Sequence, residues 1–139
     1  MGIMYDKGIG VLQDYKTVVK WWKLAAEQGL AIAQYTLGNR YYTGKGVPKD
    51  DKTSAKWYRL AAEQGNAAAQ SNLGSSYANG VGVLKDYVYA HMWLNIGAMN
   101  GYKGGALYRD IVAKKMTQSQ LEKAQKLARE CIRKKYKGC

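Results

Sequence analysis

The chain has 139 residues, with 22 Lys and Arg against 10 Asp and Glu, one His, two Cys, one Pro, no Phe and 16 Gly. That length suits one compact domain, and 47% hydrophobic with 12% aromatic residues excludes the polar, aromatic-poor composition of a disordered chain. Sixteen glycines beside a single proline fit neither a collagen nor a loop-rich sheet protein, so the glycines must hold particular places.

An offset of 36 residues supplies those places. It aligns Gly2, Gly38 and Gly74, then Gly8, Gly44 and Gly80, then Gly10, Gly46 and Gly82, and finally Gly29, Gly65 and Gly101. Twelve of the 16 glycines fall on this lattice; Gly97, Gly104, Gly105 and Gly138 do not. The same offset aligns Tyr5, Tyr41 and Tyr77, Val11, Val47 and Val83, Asp14, Asp50 and Asp86, and Trp21, Trp57 and Trp93.

Taken in chain order, residues 1–29 form a partial copy that begins inside a helix, because Gly2 and Tyr5 correspond to Gly38 and Tyr41. Trp21, Trp22 and Leu24 then lack part of their cover, which predicts self-association through this uncapped edge. Residues 30–65 are a full copy. Its first helix, A, runs from Ala31 to Thr43 with Ala33, Leu37 and Tyr41 at four-residue steps, the spacing of one helical face. Gly44, Gly46 and Pro48 make the next six residues a loop. Asp50 then stands as an N-cap, as do Asp14 and Asp86 in their copies. The second helix, B, carries Ser54, Trp57, Tyr58, Ala61 and Ala62 on one stripe and stops at Gly65, which suits a left-handed C-terminal position. Residues 66–101 repeat this plan. Two short helices cannot bury an apolar stripe alone, so successive units must stack, and the fold class is all-α, an α-solenoid of 36-residue helix-turn-helix units. The tail, 102–139, leaves the lattice: Ala106 and Asp110 stand where Gln and Gly are due. Thr117 and Gln120 form a capping box before Leu121, Ala124, Leu127, Ala128, Cys131 and Ile132, an amphipathic helix. The terminal helix pair is expected to cap the stack.

The run Ala33, Gln34, Leu37, Gly38, Tyr41, Gly44, Gly46, Val47 and Asp50, followed by Trp57 and Ala61-Ala62-Glu63-Gln64-Gly65, resembles the Sel-1-like repeats, relatives of the tetratricopeptide repeats. Partial copies run from Gly2 to Gly29 and from Ala69 to Gly101. The resemblance implies a right-handed superhelix of the bacterial type, acting as an adaptor that holds protein or peptide partners on a concave groove. Some exported members carry cysteine pairs at the separation of Cys131 and Cys139, although between helices inside the repeats.

The inventory for catalysis is thin. His91 is the sole histidine and sits in a B helix among Ala90, Trp93 and Leu94, where a core-edge or surface role outweighs a catalytic one. Two cysteines and one histidine without short spacing do not make a metal site, nothing calls for a cofactor, and no glycine loop reads as a Walker motif. We therefore expect no enzyme. The period of Trp21, Trp57 and Trp93 marks them as packing residues between units, like Gly8, Gly44 and Gly80 in the loops. Partner-binding residues are sought where copies differ on exposed sides of the A helices: Tyr35, Asn39, Arg40, Tyr42 and Thr43, then Asn72, Ser75, Ser76 and Asn79. Cys131 and Cys139 have two readings, a disulfide that staples the C-terminus with Gly138 allowing the turn, or two separate thiols in a reducing cytosol.

The charge is uneven. Residues 1–102 hold 11 basic and 7 acidic side chains, and residues 103–139 hold 11 and 3. The basic end, including Arg133, Lys134, Lys135 and Lys137, makes binding of nucleic acid or an anionic surface the alternative function, although no nucleic-acid recognition motif accompanies it. Met1 to Val11 lack the pattern of a signal peptide, and the uncharged stretch Gln64 to Leu84 is too polar to cross a membrane. As given the chain reads as soluble and cytoplasmic; a missing leader would make it periplasmic or secreted. The leading function is a non-catalytic scaffold that binds a protein or peptide along the A helices.

Overall fold

The computed structural model describes residues 12–139. These residues form seven helices and no strand: α1 (Leu12–Glu27), α2 (Ala31–Thr43), α3 (Asp51–Glu63), α4 (Ala67–Asn79), α5 (Tyr87–Met99), α6 (Lys103–Ala113) and α7 (Gln118–Arg133). From α1 to α6 each helix packs on the next in chain order. The architecture is an all-α solenoid in which α2, α4 and α6 are the A helices and α1, α3 and α5 the B helices.

The lattice residues are the joints of this stack. Asp50 accepts hydrogen bonds from the N–H groups of Lys52 and Thr53, and Asp86 from that of Tyr89, satisfying donors that have no partner within the first helical turn. The backbone N–H of each aspartate reaches back over its loop, Asp50 to the Tyr41 carbonyl and Asp86 to the Tyr77 carbonyl, both at 2.9 Å. One residue therefore closes the loop and opens the next helix. The loop of the third copy is also pinned from outside, because a Cβ on Gly82 would lie 2.1 Å from the Asp51 carbonyl oxygen, and its φ is +77°. Only glycine meets both conditions. Gly8 and the rest of the first loop lie outside the described residues.

Asp14 departs from its expected role. It lies within α1, which begins two residues earlier at Leu12, so Asp14 is no N-cap. In the second copy Pro48 occupies the position of Leu12 and keeps the residue before it extended; in the third, Gly82 fixes the loop against α3.

Buried glutamines tie the units together. Gln34 Nε2 donates to the Ala26 carbonyl at 3.2 Å and Gln70 Nε2 to the Ala62 carbonyl at 3.1 Å. Their Oε1 atoms accept from Gln64 and Asn100, each at 2.8 Å. Such paired amides let a polar group enter the core without an unmet desolvation cost.

The tail does not form a hairpin with α6. Instead α7 lies along α5; Ala124, Ala128 and Cys131 are its buried residues, and Ala128 and Cys131 join Met92, Trp93 and Ile96 in one cluster. Small residues on α7 accept the bulky flank of α5, which α6 leaves free. The N-terminal box forms as the sequence implies: Thr117 accepts from the Gln120 N–H and Gln120 Oε1 accepts from the Thr117 N–H. Leu107 and Ile111, on the outer flank of α6, remain exposed.

The three lattice tryptophans are not equivalent. Trp93 is fully buried under α7, Trp57 packs partly buried against the α1–α2 cluster, and Trp21 is 52% exposed. Among the described residues nothing covers Trp21 as Trp57 and Trp93 are covered. The helices that cover Trp57 are those just before it, and the corresponding positions for Trp21 fall outside the described residues.

Candidate partner-binding groove

Between α2 and α4 runs a groove of about 290 Å³. Asn39 and Tyr42 form its α2 flank, Asn72, Ser75, Ser76 and Asn79 its α4 flank, Tyr58 of α3 its floor, and Val81 one end. Its size is at the lower edge of the roughly 300–1,000 Å³ of small-molecule pockets, and no lining side chain carries a formal charge.

The floor follows from one glycine. A Cβ at Gly38 would come within 2.5 Å of the Tyr58 ring, so the bare backbone there lets the ring lie against α2. That contact sets the phenol beneath the groove, where Tyr58 Oη donates to Asn39 Oδ1 at 2.6 Å. Burial pushes the Tyr58 phenol up to about 12, outweighing the lowering influence of Ser54 and Asn72; it stays protonated and remains a donor. Tyr35 stands behind it, its ring centroid 6.0 Å from that of Tyr58.

The nine sequence-derived positions divide. Asn39, Tyr42, Asn72, Ser75, Ser76 and Asn79 come together in the groove, whereas Tyr35 packs on Tyr58 and Thr43 returns its hydroxyl to the Asn39 carbonyl. Arg40 is only 7% exposed and Ser76 8%, so neither is an open contact point. Both continue core stripes, Ala33-Leu37-Arg40 and Ala69-Leu73-Ser76, at the i, i+4, i+7 spacing of a buried face. The Ser76 hydroxyl donates to the Asn72 carbonyl. Tyr58 and Val81 were not among the sequence-derived positions. The available signal for Tyr58 was that its lattice position changes from Trp22 to Tyr58 to Leu94 while the tryptophan before it is constant.

Elsewhere, His91 is buried beside Arg109 and Asp110, and its Nδ1 has no hydrogen-bond partner. Burial first, then the Arg109 charge, lowers its pKa below 6.5, outweighing Asp110, so it is neutral at pH 7. Among the described residues no cluster of three or more His, Cys, Asp or Glu is placed to hold a metal, and no helix is long and apolar enough to cross a membrane. Cys131 and Cys139 are joined by a disulfide with Cα atoms 5.6 Å apart.

A family model described as the Sel1 repeat matches residues 1–30, 31–66 and 67–102. The chain belongs to the Sel1 repeat family. A crystal structure of c5321, a protective antigen present in uropathogenic Escherichia coli strains and displaying an SLR fold, aligns with TM-score 0.91 and 41% identity over 97% of this chain. A Sel1 repeat protein from Oxalobacter formigenes aligns with TM-score 0.68 and 44% identity over 75% of it. A putative sel1-like repeat-containing protein, L21, of Acanthamoeba polyphaga mimivirus is 45% identical over 42 residues, 30% of this chain. The Sel1 chain described here spans 29%, 42% and 8% of those three proteins respectively. Sel1 repeats are in general protein-interaction scaffolds.

Proposed function

We propose that this Sel1 chain is a non-catalytic scaffold that holds a peptide or protein segment in the groove between α2 and α4. The observation that carries the reading is the meeting of Asn39, Tyr42, Asn72, Ser75 and Asn79 in one cleft, on a lattice that otherwise repeats. The loop glycines, Asp50 with Asp86, and Trp57 with Trp93 recur at a spacing of 36 positions; these residues do not. A photoreactive phenylalanine analogue at position 42 should crosslink a partner in the source cell, while the same group at Lys56, exposed on α3 and outside the groove, should not. Equal yields from both sites would overturn the reading. Substitution of Arg40 is a poor probe, since its burial makes any effect structural.

A second reading is favoured by one feature of α7. Its apolar side is consumed by α5, leaving Lys123, Lys126, Arg129 and Arg133 exposed, continued by Lys134, Lys135 and Lys137. An anionic partner would bind this face through phosphate or carboxylate groups, with affinity falling as salt rises. A gel shift with random-sequence DNA at low and moderate salt tests it, and no shift at either salt removes nucleic acid from consideration.

A further inference from the structure

Two asparagines on opposite flanks of the groove have opposite hydrogen-bonding ends committed. Asn39 Oδ1 is taken by the Tyr58 hydroxyl, so its carboxamide offers the groove its two N–H donors. Asn79 is bound the other way round. Its Nδ2 donates to the Ser75 carbonyl at 3.1 Å and to the Tyr108 hydroxyl at 3.0 Å. A backbone carbonyl only accepts, which fixes the amide's orientation and leaves Oδ1 as the acceptor. The α2 flank thus presents a donor, and the α4 flank an acceptor fixed by the Ser75 carbonyl.

A peptide main chain carries an N–H and a C=O at each non-proline residue, and both need partners when water is excluded. No formal charge lines the cleft, and Lys49, whose Nζ stands 5.0 Å from the Tyr42 ring centroid, is paired with Asp51, so a carboxylate, phosphate or ammonium group entering it would lose hydration without an unpaired opposite charge to replace it. Sugars and heterocycles would also offer donors and acceptors, but a cleft open along the helices and near the lower size limit of ligand pockets suits a short stretch of a longer chain.

We propose that Asn39 and Asn79 form a main-chain amide clamp for an extended, uncharged peptide segment: Asn39 Nδ2 donates to a peptide carbonyl, and Asn79 Oδ1 accepts a peptide N–H. This rests on the groove reading above and adds the ligand's chemistry to it. Tyr58 is the positioning residue, because its hydroxyl holds the Asn39 amide in the donor orientation. Recognition of this kind tolerates changes in the peptide's side chains and fails when its backbone is altered.

The test selects binders from a displayed library of random twelve-residue peptides against the full chain. Affinities are then measured for wild type, Tyr42→Ala, Asn39→Ala, Asn79→Ala and Tyr58→Phe, with helical content and melting temperature recorded for each. Selected peptides should be poor in charge at their core. Asn39→Ala and Asn79→Ala should each weaken every peptide by a similar factor of about tenfold. N-methylation at one central peptide nitrogen should abolish binding, while alanine replacement of the neighbouring side chains should have a small effect. Tyr58→Phe keeps the ring and should weaken binding less than Asn39→Ala does.

If Tyr42→Ala weakens binding and the asparagine variants, still folded, do not, the clamp is overturned and the groove survives. If none of the four variants alters affinity, or no peptide is selected, the groove reading falls with it. Should Asn39→Ala fail to fold, Asn79→Ala and the N-methylated peptides still decide, since Asn79 is exposed and the peptide change leaves the protein untouched.

Discussion

Gly38 shows how one missing side chain positions several others. An alanine there would place a methyl group 2.5 Å from the Tyr58 ring, and the ring cannot retreat without leaving the core it shares with Ala61 and Leu73. Overpacking of this kind costs about 1–3 kcal/mol. Gly38→Ala should therefore lower the unfolding free energy by that amount in urea melts, with Tyr58 moved away from Asn39. Gly82→Ala should cost more, because its obstacle is the Asp51 carbonyl of the backbone and its φ is positive. Urea melts that rank the two in the opposite order would show that the loop yields more readily than the helix pair.

His91 supplies a second prediction at this scale. Its pKa in the folded chain lies below 6.5, chiefly through burial, so the unfolded chain binds a proton more readily. Stability attributable to this group is present above pH 6.5 and is lost as pH falls from there through the folded pKa. Wild type should thus show a falling melting temperature on acidification below pH 6.5, and His91→Gln, measured on the same series, should flatten that slope. Parallel curves for the two proteins would assign the acid loss to other groups.

At the scale of elements, what could be read from the sequence was what is local. Asp50, Asp86 and Thr117 announce helix starts because a cap needs only its own next turn, and the 36-residue period announces stacking because each unit repeats its neighbour's contacts. Arg40 and Ser76 misled because variation between copies reports a change of identity, not the direction of a side chain, and the stripe through Leu37 and Leu73 sends both inward. Gly97 and Gly105 lie off the glycine lattice, yet a Cβ at either would press on Ser71; they replace the lattice Ala61 and Ala69 where α5 and α6 close on α4. The choice of α5 over α6 as the partner of α7 is a long-range packing decision with no local marker.

The same tail gives a prediction about its staple. Lys135 and Tyr136 both have positive φ, which costs of order 1–3 kcal/mol per non-glycine residue, and the disulfide closes the loop that contains them. Tyr136 in turn packs beside Gly65, and Asn100 Nδ2 donates to its hydroxyl at 3.1 Å. A loop of this length is expected to stabilise the chain by roughly 2–3 kcal/mol. Cys139→Ser should lower the urea midpoint accordingly and release Tyr136, seen as faster amide exchange after Arg133, while α7 stays on α5 through Leu127 and Ala128. Thiol counting on denatured wild type without reductant should find none; two free thiols would remove the staple.

For the whole molecule, the described residues leave two unlike apolar flanks at the two sides of the stack. Trp21 and Leu24 are exposed on α1, and Leu107 and Ile111 on α6, while α7 covers α5 and neither of these flanks. Solenoid ends need polar faces to remain apart, and contacts between unlike ends do not close into a small symmetric oligomer. In isolation the chain should therefore associate end to end, its weight-average mass rising with concentration in light scattering. Raised salt should strengthen this by screening the repulsion from a net charge of +12, whereas binding driven by the basic face of α7 would weaken. Trp21→Lys and Leu107→Lys each block a different end, so either alone should hold the mass near 15.5 kDa. If Trp21→Lys acts and Leu107→Lys does not, the contact joins two α1 edges symmetrically and the mass of wild type should plateau at a dimer. A wild-type mass that stays monomeric at every concentration would mean that four exposed apolar side chains are too dispersed to form an interface.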